Sequence, residues 1–272
     1  LDLIDLWFSV ALFLLGLALG SFANVVIWRF PRGESVVSPG SSCPHCGSLV
    51  RWFDNVPVIS WLLLRARCRA CHSPISPRYP IVELLSALLW LVAALFFGVG
   101  PQAIIVGIFF WVLLVLSFID IDTMRLPNPI VGALAAVGLA AAVVSQFWGT
   151  LSVPLAGSQQ PLVSALLGAL LGAGLSGIVA AVYSGVRGRA GFGMGDVKLL
   201  GAMGLFLGPY VLLALMTGSV IGTVYGIAVA ARTGSGLQSK IPFGPFLAVG
   251  GVATAVLGPA VVEWYTSLIG IS

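Results

Sequence analysis

VKLLGAMGLFLGPYVLLALMTGSVIGTVYGIAVAA, running from Val197 to Ala231, is an apolar stretch of more than thirty residues, and about 20 are enough to cross a hydrocarbon core of ~30 Å. Inside it stands Gly208-Pro209. A proline there removes a backbone donor and clashes with the preceding turn, so the stretch reads as two helices rather than one. The first is short and ends at about 208; the second runs from about 209 to 231. Outward from this break, apolar runs near 7–28, 80–98, 102–120, 128–147, 162–184 and 243–268 are each long enough to span a membrane. The count is about eight, the sixth being short. The expected class is an all-α, polytopic membrane helix bundle. Of the 272 residues, 59% are hydrophobic and 8% charged, against about a quarter charged in a soluble domain.

The basic residues test this count, because Lys and Arg collect in cytoplasmic loops. With eight spans all thirteen fall on one side. Arg29, Arg32, Arg51, Arg65, Arg67, Arg69 and Arg78 lie between the first two spans. Arg125 follows the third, Arg187, Arg189 and Lys198 surround the junction of the fifth and sixth, and Arg232 and Lys240 separate the last two. The opposite side holds Asp2, Asp5, Glu263 and an uncharged loop from about 148 to 161. Both termini are therefore expected outside the cytoplasm. The net charge of +4 follows from topology and calls for no nucleic-acid partner. The first span lacks a basic n-region and a small-residue cleavage site, so it reads as a retained helix. Three regions are expected: the first helix (1–28), a polar cytoplasmic loop (29–79) and a helical bundle (80–272).

The polar loop holds every cysteine, in Cys43-Pro-His-Cys46 and Cys68-Arg-Ala-Cys71. Two C-x-x-C turns separated by 21 residues match the spacing that brings four thiolates to one tetrahedral zinc. So small a loop buries little apolar surface, and a metal would supply folding energy. A pair of disulfides is the competing reading, but the arginines put the loop in the reducing cytoplasm, where disulfides are rare. His45 and His72 flank the turns and read as solvated, since four cysteines complete the tetrahedron.

Acidic residues number nine, and three aspartates sit where apolar spans meet the basic side. Asp120 and Asp122 lie in SFIDIDTMRLPN and Asp196 in GFGMGDVKLL. Ionisable groups at such depths are costly and usually functional. Two carboxylates brought together in a low-dielectric site do not both ionise easily. The ionised one can take a proton from water while its neutral partner polarises a peptide carbonyl. The alternative is that they are helix caps or partners of Arg125 and Lys198. Gly191, Gly193 and Gly195 leave bare backbone beside Asp196, able to bend or to lie against an extended peptide. No strand precedes them, so they are not a dinucleotide fingerprint.

In order along the chain come GSFANVVIWR (Gly20–Arg29), the two cysteine turns with DNVPVISW (Asp54–Trp61) between them, RYPIVELL (Arg78–Leu85), IDIDTMRLP (Ile119–Pro127) and GMGDVKL (Gly193–Leu199). The chain resembles the type IV prepilin peptidases in these motifs over nearly its whole length. The resemblance implies a GxGD-type membrane aspartyl protease of the bacterial inner membrane that removes leader peptides from prepilins or pseudopilins, as used in type IV pili and type II secretion. It implies one catalytic aspartate in each of the last two motifs. In the second this is Asp196, behind Gly193 and Gly195. In the first, an aspartate seven residues before the proline selects Asp120, with Asp122 as the alternative acid. Where many relatives read L-P-D, this chain has Leu126-Pro127-Asn128. The resemblance also implies N-methylation of the new amino terminus with S-adenosylmethionine. For that activity, or for binding the leader, Asn24, Asp54, Arg78 and Glu83 are the candidates. Each has a structural alternative, Asn24 as an interhelical hydrogen-bond group and Glu83 as a partner of Arg78. Trp28, Trp52 and Trp61 read as interfacial anchors beside lipid. Two rival classes stand beside the enzyme: a cation transporter using the boundary aspartates, and a non-catalytic assembly scaffold. The oligomeric state cannot be read from the residues.

Overall fold

The computed structural model describes residues 2–188, 193–233 and 241–270. Arg189, Gly191 and Lys240, which entered the charge and glycine readings, lie outside the described residues. The described chain is helical, with β-structure confined to isolated bridges. Among the described residues seven segments are long and apolar enough to cross a membrane, Met194–Arg232 being counted as one. Within that segment the chain breaks as expected. A helix over Met194–Leu207 ends at Gly208, whose φ of +58° is a left-handed conformation, and Pro209 opens the turn leading to the next helix. The short helix has 14 residues, about 21 Å at 1.5 Å per residue, which is less than the ~30 Å core.

Two compact units divide the chain, Leu1–Val115 and Leu116–Ser272. In the first, α1 (Leu3–Arg29) packs along α3 (Arg78–Phe97), and the loop between them carries the small helix α2 (Ile59–Leu63). The approach of α1 to α3 is set by small residues. A Cβ on Gly20 would stand 2.5 Å from the Glu83 Cα, and one on Gly16 2.6 Å from the Ala87 Cα. Backbones this close gain dispersion contact without a hydrophobic driving force, which lipid does not provide. Ser86 Oγ donates to the Gly16 carbonyl at 2.6 Å across the same seam. The helix α4 (Pro101–Thr123) begins in this unit, with Trp90 seated over Gly107 and Trp111 Nε1 donating to the Leu19 carbonyl.

The second unit takes the last turns of α4 and then α5 (Asn128–Trp148), α6 (Pro161–Arg187), α7 (Met194–Leu207), α8 (Val211–Thr233) and α9 (Gly244–Leu268). Here α7 is the central helix. Leu199, Leu200, Ala202, Met203, Gly204, Leu205, Phe206 and Leu207 are all buried, as expected for a helix that is apolar all round. It packs on α5, α6 and α9. Gly204 and Gly168 bring α7 and α6 into backbone contact, a Cβ on either meeting the other's carbonyl oxygen at under 2.5 Å. The loop after α5 folds back on the end of α7, where the Leu155 N–H donates to the Phe206 carbonyl at 2.7 Å. One backbone group left over at the helix terminus is thereby satisfied.

Candidate active site and metal centre

Asp120 lies one turn before the end of α4. The helix stops at Met124, which takes a φ of +52°, and Thr123 Oγ1 donates to the Ile119 carbonyl at 2.8 Å. Asp120 is 5% exposed and Asp122 is exposed, because two helical steps of ~100° place them on opposite faces. The buried face is the one turned toward α7 and α9. Oδ2 of Asp120 accepts the Gly244 N–H at 2.9 Å, from the first residue of α9. Asp196 stands at the third position of α7, close enough to Asp120 for the two carboxyls to interact electrostatically. Among the described residues neither carboxylate has a Lys or Arg ion pair. Lys198, expected as a possible partner, instead donates to Asn128 Oδ1 at 2.9 Å, so the first residue of α5 is tied to the short helix.

The glycines around Asp196 have separate steric reasons. Gly193 precedes α7, and a Cβ there would come within 2.8 Å of Asp196 Oδ2. At Gly195 a Cβ would stand 3.1 Å from the Leu126 Cβ, so this position carries the contact between α7 and the segment leaving α4. Gly244 is a site residue that sequence reasoning missed. Its Cβ would lie 2.8 Å from Asp120 Oδ2 and 3.2 Å from Cγ. Pro242-Phe243-Gly244-Pro245 signals a helix start, but nothing in it names the acid 124 residues earlier.

In the first unit the four cysteines meet. Their sulfurs all lie within 4.8 Å of one another and all four are free thiols. Cys43 Sγ and Cys71 Sγ are 3.8 Å apart, the edge of a tetrahedron whose corners sit ~2.3 Å from a central zinc (~3.8 Å). The donor set fits a soft divalent metal. The two turns are built alike: the Cys43 N–H donates to the Ser48 carbonyl and the Cys68 N–H to that of Ser73, while the Gly47 and His72 N–H groups return to the Cys43 and Cys68 carbonyls. Gly47 and His72 occupy the same left-handed position, with φ of 71° and 56°. Ser48 and Ser73 lie beside the sulfurs of Cys46 and Cys71. This local repeat, C-x-x-C-x-Ser, is in the sequence but short enough to escape notice there. His45 and His72 are exposed and outside the cluster. The N–H groups of Cys46 and His45 pull the Cys43 thiol down to about 6, and the Ser73 hydroxyl lowers that of Cys71. The Cys71 and Ala70 N–H groups pull Cys68 the same way, yet loss of hydration and the neighbouring sulfurs of Cys43 and Cys71 leave it raised.

Asp54 receives a two-pronged hydrogen bond from Arg69 inside the second turn, Nε to Oδ2 at 2.8 Å and Nη2 to Oδ1 at 2.6 Å. The guanidinium holds the Asp54 carboxyl below its ordinary range. Glu83, 8% exposed in the α1–α3 seam, accepts the Val58 N–H at 2.7 Å. Val58 is the centre of a γ-turn, with φ of 60° and ψ of −50° and the Ile59 N–H donating to the Pro57 carbonyl at 2.6 Å. That conformation is rare and strained, more so for a β-branched residue. Asn24 donates through Nδ2 to the carbonyls of Gly20 and Tyr79, joining α1 to α3. Arg78 opens α3. Trp28 and Trp52 are exposed, and Trp61 Nε1 donates to the Ile75 carbonyl.

Residues 14–97 match the bacterial peptidase A24 N-terminal domain family, and residues 107–227 match the type IV leader peptidase family. A prepilin leader peptidase/N-methyltransferase of Aeromonas salmonicida is 34% identical over 97% of this chain and 95% of its own length. Its counterpart in Aeromonas hydrophila is 35% identical over 96% and 94%. A type 4 prepilin-like proteins leader peptide-processing enzyme of Escherichia coli is 37% identical over 89% and 91%. No solved structure matches the chain.

Proposed function

The chain belongs to the type IV leader peptidase family, and we propose that it is a membrane aspartic endopeptidase that removes leaders from type IV prepilins or pseudopilins at the cytoplasmic face of the bacterial inner membrane. The observation that carries this reading is that the buried Asp120 at the end of α4 and the half-buried Asp196 at the start of α7 lie close enough to interact electrostatically. A precursor lays its apolar helix beside the bundle and presents the leader junction at the depth of these two acids. Water between the carboxyls gives its proton to the ionised one and attacks the scissile carbonyl. The protonated partner donates to the developing oxyanion, and the proton then passes to the departing amine. Gly244 pins one oxygen of Asp120, and Gly193 leaves room for Asp196 to turn. Asp122, on the outer face, takes no part.

We propose Cys43, Cys46, Cys68 and Cys71 as ligands of a structural zinc, which contributes folding energy to the 29–79 loop when bound. S-adenosylmethionine is the methyl source for the second activity. It presents a sulfonium, an ammonium and a carboxylate, so Glu83 and Arg78 offer opposite charges that fit it. Asp54 and Asn24 hold the surrounding loop and helix in position. The charge distribution supports a cytoplasmic 29–79 loop and external termini.

The test is incubation of the purified protein with a prepilin and S-adenosylmethionine, followed by mass measurement of the product. Wild type is expected to yield the trimmed, methylated chain. Asp120→Asn and Asp196→Asn are each expected to leave the precursor uncut while retaining the metal. Normal cleavage by Asp196→Asn would end the protease reading.

A further inference from the structure

The bond from Val58 N–H to Glu83 fastens the start of α2 to the second turn of α3, at the end of a helix long enough to span a membrane. From that anchor α2 runs only five residues, about 7.5 Å, so everything on it stays near the membrane boundary. Its far end is apolar and uncovered: Leu62 is 60% and Leu63 78% exposed. The chain then reverses through two consecutive left-handed residues, Arg65 (φ 52°) and Ala66 (φ 58°), neither of them glycine. Such residues are strained and persist only where neighbours over-determine them. Here the Ala66 N–H donates to the Trp61 carbonyl, the Arg67 N–H to that of Leu64, and the Ile75 N–H to that of Ala66.

The reversal opens a cavity of about 600 Å³ lined by Leu63, Leu64, Arg65, Arg67, Arg69 and His72, together with Cys68. No carboxylate lines it. Arg69 is neutralised by Asp54. The guanidinium groups of Arg65 and Arg67 have no ion pair or hydrogen bond among the described residues. Two unneutralised cations thus border two exposed leucines, on an element tied to the end of a membrane helix.

We propose that this turn docks the headgroup of an anionic phospholipid, Arg65 and Arg67 meeting the phosphodiester and Leu62 and Leu63 entering the acyl layer. A soluble phosphate would account for the arginines and leave the leucines in water. A basic leader peptide would be repelled. Lipid satisfies both halves of the patch, and tethering through Glu83 keeps the patch within its reach. The docking holds the cysteine loop against the bilayer and is independent of the peptidase reading.

The experiment is hydrogen exchange on the metal-loaded, full-length protein in nanodiscs of phosphatidylcholine alone or of phosphatidylcholine and phosphatidylglycerol in equal amounts. A basic side chain near an anionic surface contributes about 1 kcal/mol, so two correspond to about 30-fold at ~1.4 kcal/mol per tenfold. Amides of 59–67 are therefore expected to exchange about 30-fold more slowly with phosphatidylglycerol, and the R65Q/R67Q variant is expected to lose that difference. Its metal content and the exchange of the first cysteine turn are expected to stay unchanged. If the double variant loses its metal, R65Q alone, outside the second turn, carries the test with a loss of about fivefold. Equal exchange in the two lipid compositions would overturn the proposal. So would protection that survives in the variant, or the same protection produced by inorganic phosphate added to phosphatidylcholine discs.

Discussion

Adding one methyl group at Gly244 strikes the Asp120 carboxylate directly. The new Cβ would stand 2.8 Å from Oδ2 and 3.2 Å from Cγ, closer than carbon and oxygen approach without repulsion at ~3.5 Å. The start of α9 is tied down by the Phe246 and Leu247 N–H groups, both donating to the Phe243 carbonyl, and Pro245 stiffens it further. The carboxylate is the part that moves, and in moving it gives up the 2.9 Å bond from the Gly244 N–H. A hydrogen bond to a charged group contributes about 1.5–3 kcal/mol, and misplacing a reacting group by about 1 Å costs about 100-fold. Gly244→Ala is therefore expected to lower kcat for prepilin cleavage about 100-fold, with KM within about twofold because the leader itself is not touched. The assay is steady-state cleavage of a prepilin in detergent. Methylation of a peptide bearing the mature pilin amino terminus serves as the second readout, and it is expected to persist. Gly258→Ala, on the same helix but far from Asp120, is the folding control. Wild-type kcat in Gly244→Ala would refute the reasoning, and so would a rise in KM with kcat unchanged.

Asp122→Asn is expected to retain cleavage whereas Asp120→Asn and Asp196→Asn lose it, as read by product mass; the reverse pattern at 120 and 122 would show that the outer-face acid is the active one. Elemental analysis and X-ray absorption of the purified protein are expected to find about one zinc with four sulfur neighbours at ~2.3 Å, and stripping it is expected to lower the urea concentration at which the 29–79 loop unfolds. Because Arg69 holds Asp54 below its ordinary range, the pair's stabilisation is complete above the unfolded value of ~3.9 and is lost as pH falls through the lower folded value. Wild type and Asp54→Asn, compared by urea unfolding of the loop with metal stripped, are expected to differ at neutral pH and converge in strong acid. A thiol introduced at Ser152 is expected to react with a membrane-impermeant reagent applied from outside, and labelling only after permeabilisation would reverse the topology.

The helices were legible because their determinants are local. A bilayer demands long apolar runs; the break at Gly208 was legible because Gly208-Pro209 stands in a run too long for one span, whereas the same dipeptide at Gly258-Pro259 lies inside α9. The cysteine cluster was legible for a related reason, since tetrahedral coordination constrains spacing as well as residue type. The choice of Asp120 over Asp122 came from a resemblance in register, and it agrees with the burial of one and the exposure of the other. Glu83 shows the opposite case. One reading made it a partner of Arg78, five residues away on the same helix; its contact with a backbone N–H in a strained turn 25 residues earlier had no signal in the residues around it.

What the sequence by itself determined, then, is which segments are helical, and which side chains are the candidates for metal binding and acid–base chemistry, all properties of neighbours along the chain. Only the tertiary structure decided which of those groups meet. Asp120 is completed by the N–H of Gly244, Asp196 by the space above Gly193, Asp54 by Arg69, and Glu83 by Val58. Their partners are backbone groups and bare glycines as often as reactive side chains. Every residue but proline carries an N–H, so no residue type marks the one that will be used; that is settled by how closely the helices pack.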